Sequence, residues 1–167
     1  MQNPLFPELT FFAANGGLQR AHAAPPRPDR HERENSANRQ FLNMLGAFHR
    51  TGGIARVEEV VQLFNARGGP KVEILATWIE RRQVICFKWR LDIWLPWFQF
   101  HRAELVPHPQ LSPIFSELTP VFDPWEMATW FAHPNPWLAE RTPVHMLVID
   151  LPAVLTAARA DRFIADG

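Results

Sequence analysis

A chain of 167 residues is long enough for one well-packed domain or two small ones. Its 17 basic and 17 acidic side chains leave no net charge, so no overall field draws the protein to nucleic acid or to an acidic membrane, although a local basic patch is not excluded. The single cysteine, Cys86, excludes an internal disulfide. No apolar stretch reaches the roughly 18 residues of a membrane span, and no secretory signal is present, so we expect a cytoplasmic protein.

The first 38 residues contain a candidate arm and a linker. Residues 1–20 include a few large apolar side chains and are interpreted as a docking arm or a frayed end. Residues 21–38 combine proline with charged side chains and have almost no large apolar residue, which predicts disorder or an extended polyproline conformation. We therefore assign residues 1–35 to an N-terminal arm and a disordered linker, and we expect the first folded unit to begin after them.

Residues 36–82 contain three stretches in which apolar side chains recur at helical spacing. A first helix is predicted over 36–50, with an inward face made of Phe41, Leu42, Leu45 and Phe48. Helices over 56–65 and 71–82, joined by a glycine-containing turn, resemble a helix-turn-helix. A small β-hairpin is predicted over 84–95, so residues 36–105 form a helical unit with a hairpin.

The helix over 71–82 is the candidate DNA-reading element. Its outward face mixes acidic with basic side chains: Lys71, Glu73, Thr77, Glu80, Arg81 and Arg82. A base-reading helix needs hydrogen-bond donors and a rim of positive charge toward the phosphates. The three cations, Lys71, Arg81 and Arg82, are possible DNA contacts, but a helix-turn-helix kept only as scaffold is the favoured interpretation.

The last 45 residues contain three helix starts in close succession. Asp123-Pro124, Thr142-Pro143 and Asp150-Leu151-Pro152 each combine a short capping side chain with a proline that fixes φ where no donor is needed. In the last helix Leu151, Val154, Leu155 and Ala158 form an apolar seam. The sequence therefore predicts an array of short helices over 110–167.

This stretch resembles the toxin-binding domain of the Xre/MbcA/ParS-like antitoxins. The resemblance is carried, in order and in spacing, by residues 130–138 (WFAHPNPWL), 141–147 (RTPVHML) and 153–159 (AVLTAAR). The motif positions are Trp130, Pro134, Asn135, Leu138, Arg141, Thr142, Pro143 and Leu147. The chain departs from the family at Ala139-Glu140, because the family usually has a glycine directly before the arginine.

The resemblance implies an antitoxin that binds and neutralises a partner toxin, often a RES-type toxin that consumes NAD, and that pairs as a homodimer. Most motif residues are explained by folding; Asn135, for example, can stabilise a turn through its side chain. The expected toxin contacts lie on the last helix beyond its apolar seam: Arg159, Asp161, Arg162 and Phe163. The overall expectation is a mainly α protein with a degenerate helix-turn-helix-like unit, one small β-hairpin and a C-terminal helical toxin-binding domain.

Two other classes of function stay open. One is a DNA-binding transcriptional regulator that uses helix 71–82 and represses its own operon, which is compatible with toxin binding. The other is a structural dimer that uses the 7 tryptophans and 13 phenylalanines for self-association. We expect no enzyme, cofactor or metal: no phosphate-binding glycine motif is present, the histidines lack zinc-ligand spacing, and no base is evident beside Cys86.

Overall fold

The computed structural model describes residues 30–167, so the expected arm over 1–20 lies outside the described residues. Seven α-helices are found in this part of the chain: α1 (Arg30–Phe48), α2 (Val57–Arg67), α3 (Val72–Glu80), α4 (Ser112–Leu118), α5 (Pro124–Ala132), α6 (Pro143–Met146) and α7 (Leu151–Asp166). Three strands complete it: β1 (Ile54–Arg56), β2 (Phe87–Trp89) and β3 (Asp92–Pro96). The prediction of a mainly α protein is confirmed.

Helix α1 begins earlier than the sequence predicts. It starts at Arg30, so residues 30–35 are helical where a disordered linker was expected. The charged run there has good helix formers, and the helix is held at its other end by Phe41, Met44 and Phe48, which are buried. Leu42 and Leu45, expected on the inward face, are exposed. Met44, three residues after Phe41, is buried instead of these two leucines. The buried face of α1 is therefore narrower than predicted.

The expected hairpin is part of a three-stranded antiparallel sheet with the order β1-β3-β2. Strand β1 follows a turn through Gly52 and Gly53, both with positive φ, and pairs Ala55 with Leu95. Such a short strand, of 3 residues, has too little alternation to be recognised in the sequence. Strand β2 is shorter than expected, because residues 84–86 lie outside it.

Gln99 explains why the strand does not extend back to Ile85. The Gln99 side chain is fully buried, and its Oε1 accepts a hydrogen bond from the Ile85 N–H at 2.6 Å. Its Nε2 donates to the carbonyl oxygens of Ile85 and Pro96, each at 2.9 Å. The polar groups of Ile85 are therefore satisfied by a side chain instead of by a neighbouring strand.

Two buried clusters hold these elements together. The larger joins α1 and β2 to helices α4–α7, with α1 packed on α5 and α4 packed on α7. The smaller joins α2 and α3 to the ends of β1 and β3 and to Phe100 and Leu105. Helix α1 thus shares its core with residues 110–167, while the division of the chain into units at 105–110 stays a prediction.

We expect Gln99→Met to lower the free energy of unfolding by about 3 kcal/mol, because it keeps the side-chain volume but leaves three buried backbone groups without partners. Chemical denaturation measures the change. Gln62→Met is the matched control, since Gln62 is exposed on α2, and its effect should stay below about 0.5 kcal/mol. Equal stability of the two variants would contradict the role given to Gln99.

Candidate functional site

The motif segment 133–143 is organised by Asn135, which is 5% exposed. Its Oδ1 accepts a hydrogen bond from the Trp137 N–H at 2.9 Å, so the predicted turn stabilised by this side chain is confirmed. Its backbone N–H donates to the Arg141 carbonyl at 3.1 Å, and its own carbonyl accepts from the N–H groups of Leu138 and Glu140. The segment is therefore a closed loop fixed by one residue.

The capping interactions predicted before α5 and α7 are also present. The Asp123 carboxylate accepts a hydrogen bond from the Glu126 N–H, and the Glu126 carboxylate accepts one from the Asp123 N–H, which is a capping box. Asp150 accepts from the Ala153 N–H at 2.9 Å. Thr142 precedes α6 as expected, but its hydroxyl lies 2.9 Å from Nδ1 of His145 instead of capping the backbone.

Asp161 connects this loop to α7. Its Oδ2 accepts hydrogen bonds from Trp130 Nε1 and from Asn135 Nδ2, each at 2.7 Å. Its Oδ1 accepts from Trp137 Nε1 at 3.0 Å. The carboxylate that the sequence offers as a toxin contact is thus engaged by one donor from α5 and two from the motif segment, and we assign it the role of positioning the surface around it.

Arg159 and Arg162, the expected arginine contacts, both pair with Glu117 of α4. The distances are 3.1 Å from Arg159 Nε to Glu117 Oε1 and 2.9 Å from Arg162 Nη1 to Glu117 Oε2. Hydrogen bonds from Arg162 and then Arg159 hold the pKa of Glu117 below its ordinary value. Glu117 lies outside the motif segments, and its role had no signal in the sequence.

The end of α7 exposes large apolar side chains. Phe163 is 81% exposed and Ile164 is 65% exposed, directly after the anchored Asp161 and Arg162. Trp137, hydrogen-bonded to Asp161, is 58% exposed on the adjoining loop. We call Phe163 and Ile164 the α7 patch. Sequence reasoning identified Phe163 but assigned Trp137 and Ile164 no role.

The other motif residues are mainly structural. Leu138 is buried, Leu147 and Trp130 are partly buried against the larger core, and Pro143 is buried at the start of α6. Arg141 contacts Met146 through Nη1, 3.8 Å from Sδ. Val148 continues the helical spacing of Val144 and Leu147, yet it is 87% exposed because α6 ends at Met146 and the following turn faces outward.

The possible DNA contacts separate into two groups. Lys71 and Arg81 are exposed at the two ends of α3. Arg82 follows the helix with φ +53, and its guanidinium donates to the carbonyl oxygens of Thr119 and Phe122 at 2.8 and 2.6 Å. That side chain ties α3 to the end of α4, while DNA binding through α3 stays a prediction.

Cys86, His101 and His108 lie outside the surfaces described so far. Burial, with a smaller contribution from the charge of Glu58, raises the pKa of the Cys86 thiol to about 11, so little thiolate is present at neutral pH. The rings of His101 and His108 lie 4.2 Å apart between centroids. Among residues 30–167, no three His, Cys, Asp or Glu side chains are grouped as metal ligands.

No protein-family model matches the chain, and neither does any curated protein or solved structure. The functional interpretation therefore depends on the motif residues and on the geometry described above. None of the helices over residues 30–167 is both long enough and apolar enough to cross a membrane.

We expect Asp161→Asn to lower the free energy of unfolding by about 2 kcal/mol, because the amide group turns an N–H₂ toward donors that require an acceptor. Thermal and chemical unfolding measure the loss. Asp166→Asn, an exposed position on the same helix, is the matched control and should change stability far less. A variant at position 161 as stable as this control would show that the three hydrogen bonds do not hold α7.

The contribution of Glu117 should depend on pH. Because folding lowers its pKa below the ordinary value of 4.5, the carboxylate adds stability above that pH and loses it as the pH falls through the lowered pKa. We expect Glu117→Gln to be less stable than the native chain at pH 7, with a difference that shrinks as the pH falls below 4.5. Denaturation curves across this range measure it, with Glu104→Gln, an exposed carboxylate, as control. A difference that does not change with pH would contradict the assignment.

Proposed function

We propose that this protein is an antitoxin-like inhibitor that binds and neutralises a partner toxin, and that the α7 patch is the centre of the contact. The observation that carries the proposal is the exposure of Phe163 and Ile164 at the end of a helix whose preceding turn is firmly anchored. Large aromatic side chains in this position are the residues that dominate the energy of protein interfaces.

Anchoring before the patch supports a binding role. Asp161 and Arg162 fix the helix on one side to the loop of Asn135 and on the other side to α4. A patch held in one conformation before binding loses less conformational entropy on association than a flexible one. The exposed apolar side chains are therefore presented at low cost to a partner with a complementary pocket.

The charged residues beside the α7 patch are suited to form the polar rim of the proposed interface. Arg159 has a side chain that is 61% exposed, while Arg162 is less exposed and has a second carboxylate partner, Asp166, at 3.5 Å. We propose that Arg162 remains on Glu117 and that Arg159 reaches the toxin. An arginine at this place suits a cleft that binds an anionic dinucleotide, as the resemblance to partners of NAD-consuming RES toxins suggests.

We expect Phe163→Asp to abolish neutralisation and to weaken toxin binding at least about 30-fold, because it replaces a central aromatic anchor by a charge. The protein is co-expressed with the product of the neighbouring gene, growth rescue is scored, and the purified complex is titrated. Leu91→Asp is the matched control, since Leu91 is 96% exposed in the turn between β2 and β3 and lies outside the α7 patch.

Both variants should unfold at the temperature of the native chain, because both side chains are exposed. Full rescue by Phe163→Asp, with binding equal to that of Leu91→Asp, would remove the α7 patch from the interface. A neighbouring product that is neither toxic nor bound would remove the proposed function itself.

A further inference from the structure

A second surface feature lies away from α7. A cleft of about 650 Å³ opens between the end of α1, the segment 97–111 and α6 with the residues that follow it. Its floor is apolar, with Phe98, Leu111 and Val144 all buried. This volume is within the range of small-molecule sites, which are usually concave and mostly apolar with a few polar groups. None of its lining residues belongs to α7.

The fully charged side chains that line the cleft are both basic. Arg50, Arg102, His108 and His145 line it, and the lining contains no aspartate or glutamate. We call this feature the basic cleft. Within residues 30–167, neither Arg50 nor Arg102 forms an ion pair with a carboxylate. Two unpaired guanidinium groups over an apolar floor favour an anionic ligand.

The fixed charge of the basic cleft comes from its arginines. Burial, and then the neighbouring His101, lowers the pKa of His108 below its ordinary value of 6.5, so this imidazole is largely neutral at pH 7. A neutral imidazole donates or accepts a hydrogen bond without adding charge. Arginine stays charged at every pH of interest and matches the oxygens of a phosphate with two parallel N–H groups.

Gly52 lets the backbone beside the cleft lie close to Trp97 and Arg102. Gly52 has φ +111, and a Cβ at this position would lie 2.8 Å from Cβ of Trp97 and 3.0 Å from Nη2 of Arg102. Only a glycine therefore allows the end of α1 to contact both side chains. The Thr142 hydroxyl lies 2.9 Å from Nδ1 of His145. The cleft is thus lined by side chains with defined neighbours.

We propose that the basic cleft binds a small aromatic phosphate monoester, with the phosphate on Arg50 and Arg102 and the ring against the apolar floor beside Trp97. Phosphate fits because two arginines line the cleft and no acidic side chain does. A ring fits because the floor and the Trp97 wall are apolar and aromatic. This inference is independent of the proposed toxin binding, since the α7 patch contributes nothing to the cleft.

The test is a calorimetric titration of the full chain with adenosine 5′-monophosphate and with 4-nitrophenyl phosphate as probes. Inorganic phosphate and adenosine, titrated separately, provide the anion and the ring alone. We expect at least one monoester to bind at least about 10-fold more tightly than either fragment, because phosphate and ring contacts then act together. Saturation absent for both monoesters up to about 10 mM would overturn the proposal.

Substitutions of the two arginines test whether the monoester binds in the basic cleft. The double substitution Arg50→Ala, Arg102→Ala should weaken monoester binding at least about 10-fold by removing both charge-assisted contacts. Arg67→Ala, an exposed arginine on α2 outside the cleft, is the matched control and should bind as the native chain does. Arg50→Lys, Arg102→Lys should bind with intermediate affinity, since lysine keeps the charge but not the paired donors.

Three outcomes would count against the basic cleft. Equal binding of phosphate and both monoesters would remove the role of the apolar floor. Monoester binding unchanged in the double alanine variant would place the site elsewhere. Binding of a short single-stranded oligonucleotide, with no binding of either monoester, would show a nucleic-acid surface in place of a small-molecule site. Thermal unfolding of each variant checks that the substitutions at exposed positions leave the fold intact.

Discussion

The carboxylate of Asp161 is the interaction on which the C-terminal half of the structure depends. Two donors from the motif segment and one from α5 converge on its two oxygens, and no other described side chain joins that segment to α7 through as many hydrogen bonds. Hydrogen bonds to a charged acceptor are stronger than those between neutral groups. The position of α7, and with it the direction in which Phe163 points, therefore follows from the loop around Asn135.

Glu117 provides the complementary restraint from α4. Its two ion pairs reach α7 on residues that flank Asp161, so the helix is held from two sides within one turn. Each exposed pair alone would contribute little. Together with the packing of α4 on α7 and the buried Val154, Ala157 and Ala158, they hold the helix in place up to the point where its side chains become exposed. Anchoring and exposure thus meet at consecutive positions, which is the arrangement that an interface anchor requires.

Local signals predicted the helix starts but not the long-range contacts. Asp123 and Asp150 cap their helices as expected, because a cap involves residues within three positions of each other. The turn role of Asn135 is equally local. The sequence could not show that Asp161, 26 residues further on, is the acceptor for its amide group, or that Arg82 reaches carbonyls about 40 residues away.

The spacing of apolar residues predicted burial less reliably, because burial also depends on long-range contacts. Leu42, Leu45 and Val148 follow helical spacing, yet all three are exposed, because burial depends on which neighbouring element packs on that face. Trp137 and Glu117 gained their roles only from the tertiary structure. The sequence identified one part of the candidate site, which is Phe163 with the arginines beside it. These residues lie beyond the apolar seam of one amphipathic helix.

The departure from the family pattern at Ala139-Glu140 has a structural counterpart. Both residues have left-handed backbone conformations, with φ +53 and +61, in the turn where the family usually has a glycine. Each costs about 1–2 kcal/mol for a residue with a Cβ. Asn135 makes five hydrogen bonds within or from this turn, each contributing about 1 kcal/mol. The two quantities are comparable, so Asn135 can hold the turn with residues other than glycine, and Trp137 Nε1 still donates to Asp161 Oδ1.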